Sequence, residues 1–169
     1  VQLRARFGTD ALAARCREHL AAHGVGLDHA VAATEPATLA LATVGADGAA
    51  RYDFWTAGTS DWQWAEAELA DSPRPDTVAL HTGSLASWMR PGRVVVLGLM
   101  RRAAAAGEVT LSYDPNVRAG LLGDPVRARE QVEAYLQVAH VVKASDEDVA
   151  FLYPGLSDDE VLRRWHSLG

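Results

Sequence analysis

The second half of the chain constrains the fold more than any other feature, because short apolar runs alternate there with helical segments. Residues 77–81, 109–113 and 140–143 read as strands. Between and after them, residues 92–106, 125–139, 146–153 and 157–168 read as helices. Regular alternation of this kind requires a parallel sheet whose crossovers are right-handed. Local signals agree with it. Gly107 closes one helix, since glycine tolerates the left-handed conformation at a helix end. Ser157, with Glu160 three residues on, fits a capping box.

The first half has a different texture. Asp10 can cap a helix to about residue 23, with Leu12, Cys16 and Leu20 at helical spacing and Gly24 as its stop. Strands are expected at 29–33, 38–44 and 49–55. Ala46-Asp47-Gly48 joins the last two as a hairpin turn. Along them Leu39, Leu41 and Thr43 alternate with small residues, and Arg51, Asp53 and Trp55 alternate with Tyr52 and Phe54, which suggests a half-exposed sheet. A short helix is expected from Asp61 through Leu69, then a loop over 71–76. The expected organisation is one α/β domain over residues 1–169, with a β-rich insertion at about 28–56.

At 169 residues the chain can bury a sizeable core. Its net charge of −6 argues against non-specific nucleic-acid binding and against docking on an anionic membrane. Cys16 has no second cysteine with which to form an internal disulfide. No apolar run approaches the ~20 residues that span a bilayer. No secretion signal opens the sequence, so a cytoplasmic protein is expected.

Open parallel sheets bind ligands beyond the carboxyl ends of their strands. Two such ends are unusually polar here. In Tyr113-Asp114-Pro115-Asn116-Val117-Arg118, proline stops the strand and Asp114, Asn116 and Arg118 follow. An amide and a guanidinium suit a polyol or an anionic oxygen, because each donates several directed hydrogen bonds. The alternative is an Asx turn that merely closes the strand. In the second end, Lys143 leaves a valine pair and Ser145-Asp146-Glu147-Asp148 begins a helix. It reads either as an ordinary helix cap or as a site near a nucleotide phosphate and its magnesium. Elsewhere, His19 and His23 lack a third metal ligand, Trp62 and Trp64 could stack on a sugar or simply pack, and there is neither a P-loop nor a recognisable triad around Ser84.

Taken in order, several segments resemble the ribokinase-like carbohydrate kinases, and their fructokinase-like branch in particular. These are Phe7-Gly8-Thr9-Asp10 with Gly24-Val25, Pro36-Ala37-Thr38-Leu39-Ala40, Asp47-Gly48 with Tyr52-Asp53-Phe54, Gly58-Thr59-Ser60-Asp61-Trp62, Gly83-Ser84-Leu85, Asp114-Pro115-Asn116-Val117-Arg118, and Lys143 with Ser145-Asp146-Glu147-Asp148. The resemblance implies a three-layer α/β/α sandwich with a small β-sheet lid, incomplete here at both ends. It implies transfer of a phosphoryl group from ATP, with Mg2+, to a hydroxyl of fructose or a related ketose or sugar acid. By the same resemblance, Arg118 contacts the sugar or its developing phosphate, Asp114 and Asn116 shape that pocket, and Tyr52 and Phe54 lie on the lid near the sugar. Lys143, Ser145 and Asp148 fall near the nucleotide and magnesium, Ser145 and Asp148 matching the family's Asn-x-x-Glu in altered form.

The family's Gly-Ala-Gly-Asp motif, which supplies the catalytic base and anion hole, is expected beyond Gly169, and a sugar-gripping segment before Val1. The chain as given is therefore expected to have no catalytic residue of its own and little activity alone. The lid invites homodimerisation. A non-catalytic sugar-binding or interaction remnant of a kinase fold is the alternative.

Overall fold

The computed structural model describes residues 1–45, 48 and 50–169 and divides into two units, Val1–Gln63 and Trp64–Gly169. In the first unit, Arg6–Phe7 (β1) pairs in parallel with Val31–Ala32 (β2), and the helix Ala11–Ala22 (α1) connects them. The helix starts at Asp10 because its carboxylate accepts from the N–H groups of Leu12 at 2.9 Å and Ala13 at 3.1 Å. The other carboxylate oxygen accepts from Ala37 N–H at 2.9 Å, so one side chain ties the helix start to a distant loop. Phe7, Ala13 and Ala33 are buried, and the Arg17 guanidinium lies 4.6 Å from the centre of the Phe7 ring. Nearby, buried Arg6 donates to Ser60 C=O at 3.1 Å and sits 3.5 Å from Glu35.

Leu39–Val44 (β3) and Ala50–Trp55 (β4) form an antiparallel ribbon in the register Leu39↔Trp55 to Val44↔Ala50. Opposed residues share a face. One face therefore carries Leu39, Leu41 and Thr43 with Arg51, Asp53 and Trp55, and the other carries Tyr52 and Phe54 opposite Ala42 and Ala40. The Tyr52 and Phe54 rings stack with centroids 6.0 Å apart. Of the expected turn Ala46-Asp47-Gly48, Ala46 and Asp47 lie outside the described residues. Gly48, at φ 76°, donates to Gly45 C=O.

The helix expected over 61–69 does not form. Only Glu66–Leu69 closes a turn, of 3-10 type. The physical reason is competition for the cap. Asp61 accepts instead from Thr38 N–H at 2.9 Å, fastening the base of the ribbon, and Trp62 Nε1 donates to Thr56 C=O at 3.0 Å.

In the second unit, Ala79–Gly83 (β5), Thr110–Asp114 (β6) and Val141–Val142 (β7) form a parallel sheet in that order. Two short helices that the sequence pattern did not reveal, Leu85–Trp88 (α2) and Ala119–Leu122 (α4), follow β5 and β6. The expected longer helices are Gly92–Ala106 (α3), Pro125–Leu136 (α5), Asp146–Leu152 (α6) and Asp158–His166 (α7). In α3 the buried residues Val96, Leu99, Met100 and Ala103 recur at helical spacing, so one stripe packs inward. Tyr113 of β6 stacks on Tyr135 of α5, with centroids 4.5 Å apart and planes at 7°, which contributes about 0.5–1.5 kcal/mol beyond burial. Helix α7 is held by polar contacts. Trp165 Nε1 donates to the Tyr153 hydroxyl at 2.8 Å, that hydroxyl donates to Glu133, and Arg164 reaches Glu133 through two nitrogens.

Candidate active site at the carboxyl ends of β6 and β7

The register Gly83↔Asp114 brings the ends of β5 and β6 side by side. Their approach is close enough that a Cβ on Gly83 would overlap the Asp114 carbonyl oxygen. Glycine is required there because only its missing side chain lets the two backbones meet. Ser84 follows at φ 53° and donates its N–H to the same carbonyl at 3.2 Å.

Beyond Asp114 the chain forms an Asx turn: Asn116 N–H donates to Asp114 Oδ1 at 3.0 Å. Pro115 is fully buried and has no N–H to satisfy. Asn116 takes the left-handed conformation at φ 44°, which asparagine tolerates better than most residues. Its half-buried side-chain amide makes no hydrogen bond among the described residues. Arg118 then sits at the N-terminus of α4 and donates to Val117 C=O at 2.9 Å.

The end of β7 closes on the same tip through two contacts. Lys143 Nζ lies 3.1 Å from Asp114 Oδ2. Asp148 is 3% exposed, and its Oδ1 accepts from Val117 N–H at 2.6 Å while Oδ2 accepts from Ser145 N–H at 2.9 Å. The Ser145 hydroxyl accepts from Asp148 N–H at 3.2 Å, completing a capping box at the start of α6. Glu147 beside it is held below the usual carboxylate range, chiefly by its own backbone N–H, then by the Ser145 hydroxyl, with Lys143 adding to both. Beneath the tip, Tyr113 donates to or accepts from Ser87 at 3.3 Å. Burial pushes its hydroxyl pKa upward, and the negative charges of Asp114 and Asp148 add to that effect.

The structure thus gathers Asp114, Asn116, Arg118, Lys143, Ser145 and Asp148 around one end of one sheet. Tyr52 and Phe54 belong to the other unit and share one face of the ribbon. The His19 and His23 rings have centroids 4.3 Å apart, with His23 Nδ1 hydrogen-bonded to His19 C=O. Trp64 is buried, and the Trp62 indole nitrogen bonds Thr56 and Thr59, so both rings have packing roles. Among the described residues, no group of three or more His, Cys, Asp or Glu side chains could hold a metal ion. Asp148 is buried at 3% exposure with its oxygens turned to backbone N–H groups, so it is not presented for direct ligation of magnesium.

Residues 1–169 match the profile described as pfkB family carbohydrate kinase. The chain belongs to the pfkB family of carbohydrate kinases. Its curated relatives place this pfkB chain in the fructokinase-like branch. It is 38% identical over 129 residues to fructokinase-2 of Zea mays, covering 75% of this chain and 38% of that protein. It is 32% identical over 164 residues to probable fructokinase-5 of Arabidopsis thaliana, covering 95% of this chain and 50% of that protein. The fold matches the Xylella fastidiosa fructokinase solved with bound ATP, with a TM-score of 0.85 and 25% identity, over 99% of this chain and 52% of that one. The pfkB chain therefore spans about half the length of these proteins or less. The comparisons establish the ribokinase-like α/β fold expected from the motifs.

What sequence reasoning missed is the joining of the two strand ends by Asp148. The spacing of Ser145 and Asp148 carried a capping-box signal, but nothing local pointed to Val117 as the second donor.

Proposed function

We propose that this chain contributes the lid and part of the substrate site to a single kinase domain that phosphorylates a sugar hydroxyl using ATP. Fructose is the first candidate, with related ketoses and sugar acids next. The observation that carries this reading is the convergence of Asp114, Asn116 and Arg118 with Lys143 at one sheet end, in a member of a carbohydrate kinase family whose curated relatives are fructokinases. An unpartnered amide at Asn116 and a guanidinium at Arg118 supply directed donors to sugar or phosphate oxygens. Phosphoryl transfer depends mainly on positioning and on stabilising spread negative charge, which such donors can provide.

In this reading Tyr52 and Phe54 are sugar-contacting residues of the lid, and Lys143, Ser145 and Asp148 lie near the nucleotide. ATP is supported by the ATP-bound fructokinase of matching fold. Magnesium would accompany the nucleotide and screen its phosphates. The ribbon, with Leu41 and Trp55 more than half exposed, is the proposed contact between two copies. No helix among the described residues is long and apolar enough to cross a membrane, and a cytoplasmic setting is part of the proposal.

The test is a coupled assay of ADP release by the protein carrying this chain, with fructose, ribose and a keto sugar acid as acceptors. Fructose-dependent turnover supports the reading. Failure with every acceptor in the panel counts against it.

A further inference from the structure

We infer that Asp148 is a positioning residue that fixes the conformation of the β6 tip. The inference rests on the kinase reading only for what the tip binds. The bonds themselves belong to the fold. At the ends of β6 and β7 the backbone N–H groups of Asn116, Val117 and Ser145 are each met by a carboxylate oxygen. Asp114 accepts the first. Asp148 accepts the other two, one on each carboxylate oxygen. The Val117 bond, at 2.6 Å, is short, as expected when a charged acceptor meets an N–H out of water.

Its location gives this bond its importance. Val117 is buried and stands between Asn116, held at φ 44°, and Arg118. A left-handed asparagine is a minor conformation that persists only where its surroundings impose it. Asp148 grips the residue immediately after it, across 31 positions of sequence. The orientation of Asn116 and Arg118, two of the candidate sugar-site side chains, is thereby tied to a carboxylate on a different helix. Asp148 acts through Val117 rather than by touching substrate or metal, because it is buried at 3% exposure with its oxygens turned to backbone N–H groups.

The experiment uses amide exchange and Cα and Cβ chemical shifts, read by nuclear magnetic resonance on this chain, in three variants. In Asp148→Ala, Val117 N–H exchange is expected to accelerate by about tenfold or more, as for loss of a hydrogen bond to a charged group. The Asn116 shifts should leave the left-handed range. Asp148→Asn keeps an oxygen for Val117 N–H, and it should restore most of the protection even if Asp148→Ala fails to fold. Ser145→Ala removes the hydroxyl cap and leaves the Val117 bond. It should lower stability while leaving Val117 exchange and the Asn116 shifts near wild type. The inference is overturned if Ser145→Ala perturbs Val117 and Asn116 as strongly as Asp148→Ala, or if Asp148→Asn restores nothing. Titrating the wild type with fructose and ATP separates the two proposals. Absence of any shift at residues 114–118 counts against the kinase reading, while the exchange data still decide the role of Asp148.

Discussion

The Lys143 ammonium and the Asp114 carboxylate meet at 3.1 Å across the ends of two neighbouring parallel strands. Lys143 is 67% exposed and Asp114 23%, so water weakens their attraction. Lys143→Ala should therefore change unfolding free energy by no more than about 1 kcal/mol. The same substitution should weaken nucleotide binding, because Lys143 is proposed to lie near the nucleotide. Chemical denaturation measures the first effect and calorimetry with ATP the second. A large stability loss with unchanged ATP affinity would make the pair structural.

Gly83→Ala tests the strand approach. The new methyl group meets the Asp114 carbonyl oxygen, which is backbone and cannot swing aside. Overpacking of this kind costs about 1–3 kcal/mol, and here the displacement passes to the β6 tip. Urea midpoints should fall, and Ser84→Ala, which adds no atom at that contact, should leave them closer to wild type.

Arg118→Ala should weaken sugar handling by about 1–3 kcal/mol, the range for losing a hydrogen bond to a charged group. The measurement is kcat/KM for the sugar set against KM for ATP. Equal losses in both would move Arg118 away from the sugar.

Acid should loosen the clamp that holds α7. Glu133 is partly desolvated, which raises its pKa, but hydrogen bonds from Arg164 and Tyr153 outweigh that and hold it below the ordinary 4.5. A carboxylate depressed in the folded state gives stability that is present above its unfolded value and is lost as pH falls through the folded value. Thermal unfolding between pH 6 and 3 should thus show a loss that Glu133→Gln removes. At the alkaline end the sign reverses for Tyr153, pushed up to about 12 first by burial. Its contribution is present below the ordinary 10 and disappears as pH rises from there toward 12.

Much of the second unit could be read from its residues. Gly107 at φ 72°, the Ser157–Glu160 box and the valines of β7 are local signals, and each element they mark forms within a few positions of its expected bounds. Local signals failed where a side chain had a distant alternative partner. Asp61 looked like a helix cap, yet Thr38 claims it. The polar strand ends are visible in the sequence, but their connection through Asp148 and Val117 is a pairing of remote segments, to which spacing is blind. The short helices α2 and α4 escaped because four residues cannot display a period.

The Tyr113–Tyr135 stack also gives this protein a built-in optical gauge. Two nearly parallel phenol rings in a fixed, chiral setting couple their ultraviolet transitions and contribute a circular dichroism band in the aromatic region. The part of the aromatic signal that Tyr113→Phe removes should report whether α5 is seated on β6, and it should fall when packing loosens even if the helix itself survives. Because Tyr113 immediately precedes Asp114, ligand effects that reach the end of β6 can be followed in solution without attaching a dye.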